Sequence, residues 1–126
     1  MPFKIRRNKF DILMSNLVRA RDNWTCQKCG KYLYENKGSA HNSHYIPRRY
    51  INVRWDLENC DCLCFSCHVG STQFTHSEYV DFKKNQLGDK KHDELIKRGK
   101  IIVKRKLIET PELYRNLKEM LKSYEF

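Results

Sequence analysis

The sequence predicts an α+β fold, in which two short strands and a helix are pinned by one zinc ion and flanked by further helices. Three observations carry that expectation. Two Cys-x-x-Cys pairs, Cys26/Cys29 and Cys64/Cys67, stand far apart in the chain. Each pair fits a tight turn that aims two sulfurs at one ion, and four thiolates make a tetrahedral site. Between the pairs lie two strand-like runs separated by a loop, and outside them the apolar residues recur with helical spacing.

Asn8 to about Arg21 reads as a helix with Ile12, Leu13 and Leu17 on its buried side, joined by Met14 and Val18. Asn8 caps it and Asp11 lies in its first turn, while Asp22-Asn23 ends it before the first cysteine turn. Ser39 to Ile46 forms a strand stopped by Pro47. Residues 47–57 form a loop, and Glu58 to Leu63 forms a second strand antiparallel to the first. A short helix from about Phe65 carries His68. Thr75-x-x-Glu78 is a capping box that opens a helix ending at Gly88, and Asp89 to Arg98 is another, closed by Gly99. Ile101 to Glu109 is ambiguous, its Ile and Val residues favouring an extended segment. Thr110-Pro111 opens a last amphipathic helix with Leu113, Leu117, Met120, Leu121 and Tyr124 inward. The chain reads as one domain, with a core over about 19–74 and a helical extension over about 75–126.

Only 40% of the 126 residues are hydrophobic, so the core is modest and a structural metal would add folding energy directly. Six cysteines also allow disulfides. No apolar run follows Met1-Pro2-Phe3-Lys4 and none elsewhere is long, so neither secretion nor a membrane span is expected, and paired cysteines in a reducing compartment bind metal. Cys60 and Cys62 read as small buried hydrophobes, although either is near enough in sequence to replace Cys64 in the clamp. Trp24 and Trp55 read as core residues around the cysteine turns.

The net charge of +10 points to a polyanionic partner, above all nucleic acid. Basic residues gather at Lys4, Arg6, Arg7, Lys9, Arg19 and Arg21, and again from Lys83 to Lys106. Lys118 and Lys122, beside Glu119 and Glu125, read as solvated surface. Arg48, Arg49 and Arg54 cluster in the loop after the first strand and are expected to grip phosphates.

His44 on the first strand stands fifteen residues before Asn59, at the start of the second, and Asn59 nine before His68 on the helix. Around them run Arg19-Ala20-Arg21-Asp22-x-x-x-Cys26-Gln27-x-Cys29-Gly30, Ser43-His44-Tyr45-Ile46-Pro47-Arg48, Arg54-Trp55-Asp56-x-x-Asn59 and Cys64-x-x-Cys67-His68. In these residues the chain resembles the HNH nucleases, whose ββα-metal unit carries such a triplet, and within them the phage recombination endonucleases of the NinG type. The resemblance is good from residue 19 to about 70 and rests on helix order thereafter. It implies an HNH endonuclease that hydrolyses DNA phosphodiester bonds, acting on branched or recombination-intermediate DNA in the cytoplasm of a bacterial host. It further implies a catalytic divalent metal, Mg²⁺ or Mn²⁺, beside the structural zinc. A junction-cutting nuclease needs two active sites, so a homodimer through the C-terminal helices is the natural arrangement.

The chemistry is consistent with those roles. A neutral imidazole is a suitable general base near pH 7, which assigns His44 to activating water. His68, next to a clamped cysteine, is expected to hold the catalytic metal, and Asn59 to tie the loop that positions His44. Many HNH enzymes carry an Asp or His directly before the base as a second metal ligand, and here that residue is Ser43. His41, about 6–7 Å along the strand, is the substitute, a serine-bound or water-mediated metal being the alternative. Thr72 could assist His68. The competing reading is a zinc-ribbon DNA-binding module without activity, in which the histidines are structural.

Overall fold

Helix α1 (Lys9–Arg21) starts where the sequence places its cap. The Asn8 side chain accepts from the N–H groups of Phe10 and Asp11, and the Asp11 carboxylate accepts from the Asn8 N–H. A computed structural model describes residues 6–124, so Lys4, Glu125 and the first residues of the chain lie outside the described part. Phe10, Leu13, Met14, Leu17 and Val18 form the buried stripe of α1. Ile12, expected on that stripe, is 51% exposed, because at 100° per residue it falls opposite Phe10 and Leu17.

The described residues form an α+β fold, mostly helical, with a two-stranded antiparallel sheet of β1 (Ala40–His44) and β2 (Cys60–Cys64). The register pairs Ala40 with Cys64 and His44 with Cys60. Strand β1 is shorter than expected at both ends, and β2 starts two residues later and runs one residue further, to Cys64; short 3₁₀ turns at Ile51–Val53 and Leu57–Asn59 fill the connection between them. Helix α2 (Phe65–Val69) follows β2 directly, capped by the Cys64 sulfur accepting from the Cys67 N–H. Arg21 stitches the end of α1 to β2 by donating to the carbonyls of Leu57 and Cys60, while Asp22 accepts from the Cys62 N–H.

Helix α3 (His76–Leu87) has the expected Thr75/Glu78 capping box and ends at Gly88. Helix α4 (Asp89–Lys100) runs past its expected stop. Gly99 lies buried inside its last turn, where an added Cβ would come within 2.9 Å of Ile46 Cδ1. This glycine is therefore a close-approach residue, not a helix terminator. The segment expected to be extended is a coil followed by helix α5 (Arg105–Ile108), since no further strand is available to pair with it among the described residues. Helix α6 (Pro111–Lys122), capped by Thr110, packs Leu117 into the core with Leu113 and Leu121 against it, so the C-terminal extension folds back on α1. Met120 and Tyr124 stay 45% and 42% exposed, and Tyr124 lies beyond the helix end. No helix among the described residues is long and apolar enough to cross a membrane.

Candidate functional site

The sulfurs of Cys26, Cys29, Cys64 and Cys67 lie within 4.8 Å of one another, with Cys29 and Cys64 at 3.9 Å. A tetrahedron with Zn–S arms of about 2.3 Å has edges of about 3.8 Å, so the cluster is placed to hold a structural metal such as zinc. Backbone N–H groups of Cys29 and Cys67 point at the Cys26 and Cys64 sulfurs. Burial opposes ionisation of Cys26, yet the N–H groups of Cys29, Cys64 and Lys28 bring it down to about 7. Burial and the neighbouring thiols push Cys67 up to about 12. A dication in their midst is what allows all four to ionise together. Cys60 and Cys62 are fully buried outside the cluster, and burial raises both, Cys62 to about 12. Cys64 therefore keeps its expected place. Thr72 donates to Ser66 and meets the Cys67 sulfur at 3.2 Å, so it serves the cysteine cluster and not His68.

At the other end of the sheet, the Asn59 amide ties the loop closed. Its Oδ1 accepts from the Ile46 N–H at 2.7 Å, and its Nδ2 donates to the carbonyls of Ile46 and Val53. That clasp, with the Tyr45 N–H on the Asn59 carbonyl, brings the Arg54 carbonyl within 3.0 Å of His44 Nε2. A carbonyl only accepts, so His44 carries its proton on Nε2. Nδ1 is left with a lone pair that has no partner among the described residues. Burial, aided by the Arg48 charge, pushes His44 down to about 4, and the Arg54 carbonyl only partly opposes this. The imidazole is neutral at pH 7.

His41 and His68 meet across the sheet edge, with their Nδ1 atoms 2.9 Å apart. Burial, then the neighbouring His41, lowers His68. His41, Asn42 and His44 all line one cleft of about 920 Å³ together with His68, Arg7, Arg19, Lys37 and Arg48. Strand alternation puts 41 and 44 on opposite faces. Both reach the cleft because β1 is paired with β2 alone among the described residues, and the cleft wraps its free edge. Ser43 turns away, hydrogen-bonded to Tyr79 at 3.0 Å. Imidazole nitrogen suits transition-metal cations such as Zn²⁺, whereas Mg²⁺ and Mn²⁺ prefer the oxygen of carboxylate, carbonyl or water. Asp11, which also lines the cleft, has both oxygens already engaged.

Arg54 requires a correction. It is 1% exposed and makes a two-pronged pair with Asp11, with a further bond to the Arg6 carbonyl, so its guanidinium is unavailable to phosphate. Burial works against the Asp11 charge, but Arg54, the Asn8 N–H and Trp55 Nε1–H hold its carboxyl below the ordinary value. Arg48 lines the cleft beside His44, and Arg49 is exposed, resting on Tyr50.

The sequence reading gave no site role to Asn42, whose Oδ1 is buried with no partner among the described residues, and took Arg19, whose Nε is in the same state, only as one of the N-terminal basic residues. Both line the cleft. Position on an edge strand two residues before His44 is the signal that would have singled out Asn42. Compared with protein-family models, curated proteins and solved structures, the chain shows no match.

Proposed function

We propose that the chain is a metal-dependent HNH-type endonuclease that hydrolyses DNA phosphodiester bonds, acting on branched or recombination-intermediate DNA, with β1, β2 and α2 as its ββα-metal core. The observation that carries the reading is the state of His44. It is neutral, fixed through Nε2 on the Arg54 carbonyl, and holds an unbonded Nδ1 in the same cleft as the His41/His68 pair.

His44 Nδ1 takes a proton from water as the water oxygen forms its bond to phosphorus and the bond to the 3′-oxygen breaks. Asn59 keeps the base aimed by holding the loop, without touching the substrate. His41 and His68 would hold the divalent cation, with the Asn42 carbonyl oxygen as a further donor in the cleft. When bound, that cation supplies positive charge to the non-bridging and departing oxygens. Arg7, Arg19, Lys37 and Arg48 give the cleft the sign a phosphate chain requires. Two such sites in a homodimer would suit a branched substrate.

Zinc-loaded protein incubated with supercoiled plasmid should convert it to nicked or linear form when Mn²⁺ or Mg²⁺ is added. Plasmid that is bound but never cut with either metal would leave the non-catalytic DNA-binding module as the correct reading.

A further inference from the structure

Around the first cysteine turn runs a row of aromatic rings that none of the roles above uses. Tyr32 and Tyr34 are 56% and 46% exposed. Their rings stack with centroids 6.2 Å apart and planes 17° apart, and Trp24 meets Tyr34 edge-on at 5.5 Å. Lys37 Nζ lies 4.5 Å from the Tyr34 ring centre, and the Arg19 guanidinium 5.4 Å from that of Trp24. Trp24, Arg19 and Lys37 also line the cleft that contains His44, so the row continues outward from that cleft.

The row is held in place. The Leu33 N–H donates to the Trp24 carbonyl at 2.7 Å, the Cys26 N–H to Lys31, and Thr25 bridges Tyr32. Trp24 itself sits at φ +54°, a conformation a bulky residue adopts only when its surroundings impose it. The metal-clamped turn therefore displays flat, exposed rings with cations beside them. A base has two π-faces and a phosphate on either side, which matches rings interleaved with Lys and Arg. In a duplex those faces are already covered by neighbouring bases. The complement of this surface is a strand whose bases are unpaired.

We propose that Trp24, Tyr34 and Tyr32 form a stacking platform for unpaired bases of a DNA strand, whose phosphates pass Arg19 and Lys37 on the way into the cleft. The proposal rests on the nuclease reading for the identity of the polymer as DNA, and it deepens that reading by naming single-stranded DNA as what the site grips.

The test is fluorescence anisotropy with a labelled oligo-dT and with a duplex of equal length, zinc in place and no Mg²⁺ or Mn²⁺ added. Tyr34→Ala should weaken oligo-dT binding about 5- to 100-fold and leave duplex binding unchanged, while Tyr34→Phe keeps wild-type affinity. Oligo-dT should also quench Trp24 fluorescence, since Trp55 is buried with its Nε1–H on Asp11. If zinc content shows that Tyr34→Ala misfolds, Tyr34→Leu keeps the apolar bulk without the π-face and should show the same loss. Full oligo-dT affinity in a folded Tyr34→Ala or Tyr34→Leu variant, or an equal loss on strand and duplex, overturns the proposal. No cleavage is read, so a platform without hydrolysis and hydrolysis without a platform remain distinct results.

Discussion

Behind β1, the buried charges of Asp61 and Lys83 are paired. Asp61, fully buried on β2, accepts from Lys83 Nζ at 3.1 Å, Gln86 Nε2 at 2.8 Å and the Tyr79 hydroxyl, and Ser43 joins through Tyr79. Lys83 donates in turn to Gln86. Along the free edge of the same strand the polar atoms are less well matched: Asn42 Oδ1 and Arg19 Nε are buried with no partner among the described residues, His41 and His68 bond each other, and His44 is held through Nε2 alone. A network closed on itself holds a strand in place, because removing any member leaves a buried charge or dipole uncompensated. Buried polar atoms without partners cost stability, and a ligand that bonded them would recover it. The contrast separates residues that build the site from residues that use it.

The comparison breaks first at the frame. Structural zinc contributes apparent folding free energy on the order of 10–16 kcal/mol, so Cys29→Ser should leave little folded protein. Metal analysis with circular dichroism would show it, and a variant that melts like wild type would mean that the frame does not rest on metal. Next come the closed pairs. Lys83→Met leaves Asp61 buried without its cation, and Arg54→Met does the same to Asp11. Each should cost about 3–5 kcal/mol by urea unfolding, where removing a solvated phosphate-gripping arginine would cost almost nothing.

The open side is sharpened by pH. His44 stays neutral in the fold down to about 4, whereas in the unfolded chain it titrates near 6.5. Between those values the unfolded chain binds more protons, so the stability tied to a neutral His44 is complete above about 6.5 and is lost as pH falls toward 4. An NMR titration of the His44 ring should give a midpoint well under 6.5; an unshifted midpoint would mean that the imidazole is not buried in this way. The smallest effect belongs to the rim. Arg48→Ala and Arg49→Ala should each make the salt dependence of DNA binding shallower by about one unit of log–log slope, and an unchanged slope would move the DNA path to the Lys84–Lys106 region, since Lys83 is buried on Asp61.

Much of the frame was legible because it is local. Asn8 with Asp11, Thr75 with Glu78, and Thr110 with Pro111 mark helix starts within a few residues, and the two cysteine turns state their geometry in their spacing. What escaped was set by distant partners. Arg54 looked like a surface arginine because nothing near it in sequence announces Asp11, forty-three positions earlier, as its partner. Gly99 looked like a terminator because Ile46, which needs its missing side chain, lies on another element. His41 was legible only as a substitute for a ligand that Ser43 lacks, and its contact with His68 depends on β1 being an edge strand.

The division between frame and open site is tested most directly by one variant measured two ways. His44→Ala should keep the zinc content and melting temperature of wild type, while its single-turnover cleavage rate with Mn²⁺ falls about 10²- to 10⁴-fold. A folded, zinc-loaded His44→Ala protein that cuts at the wild-type rate would contradict the account.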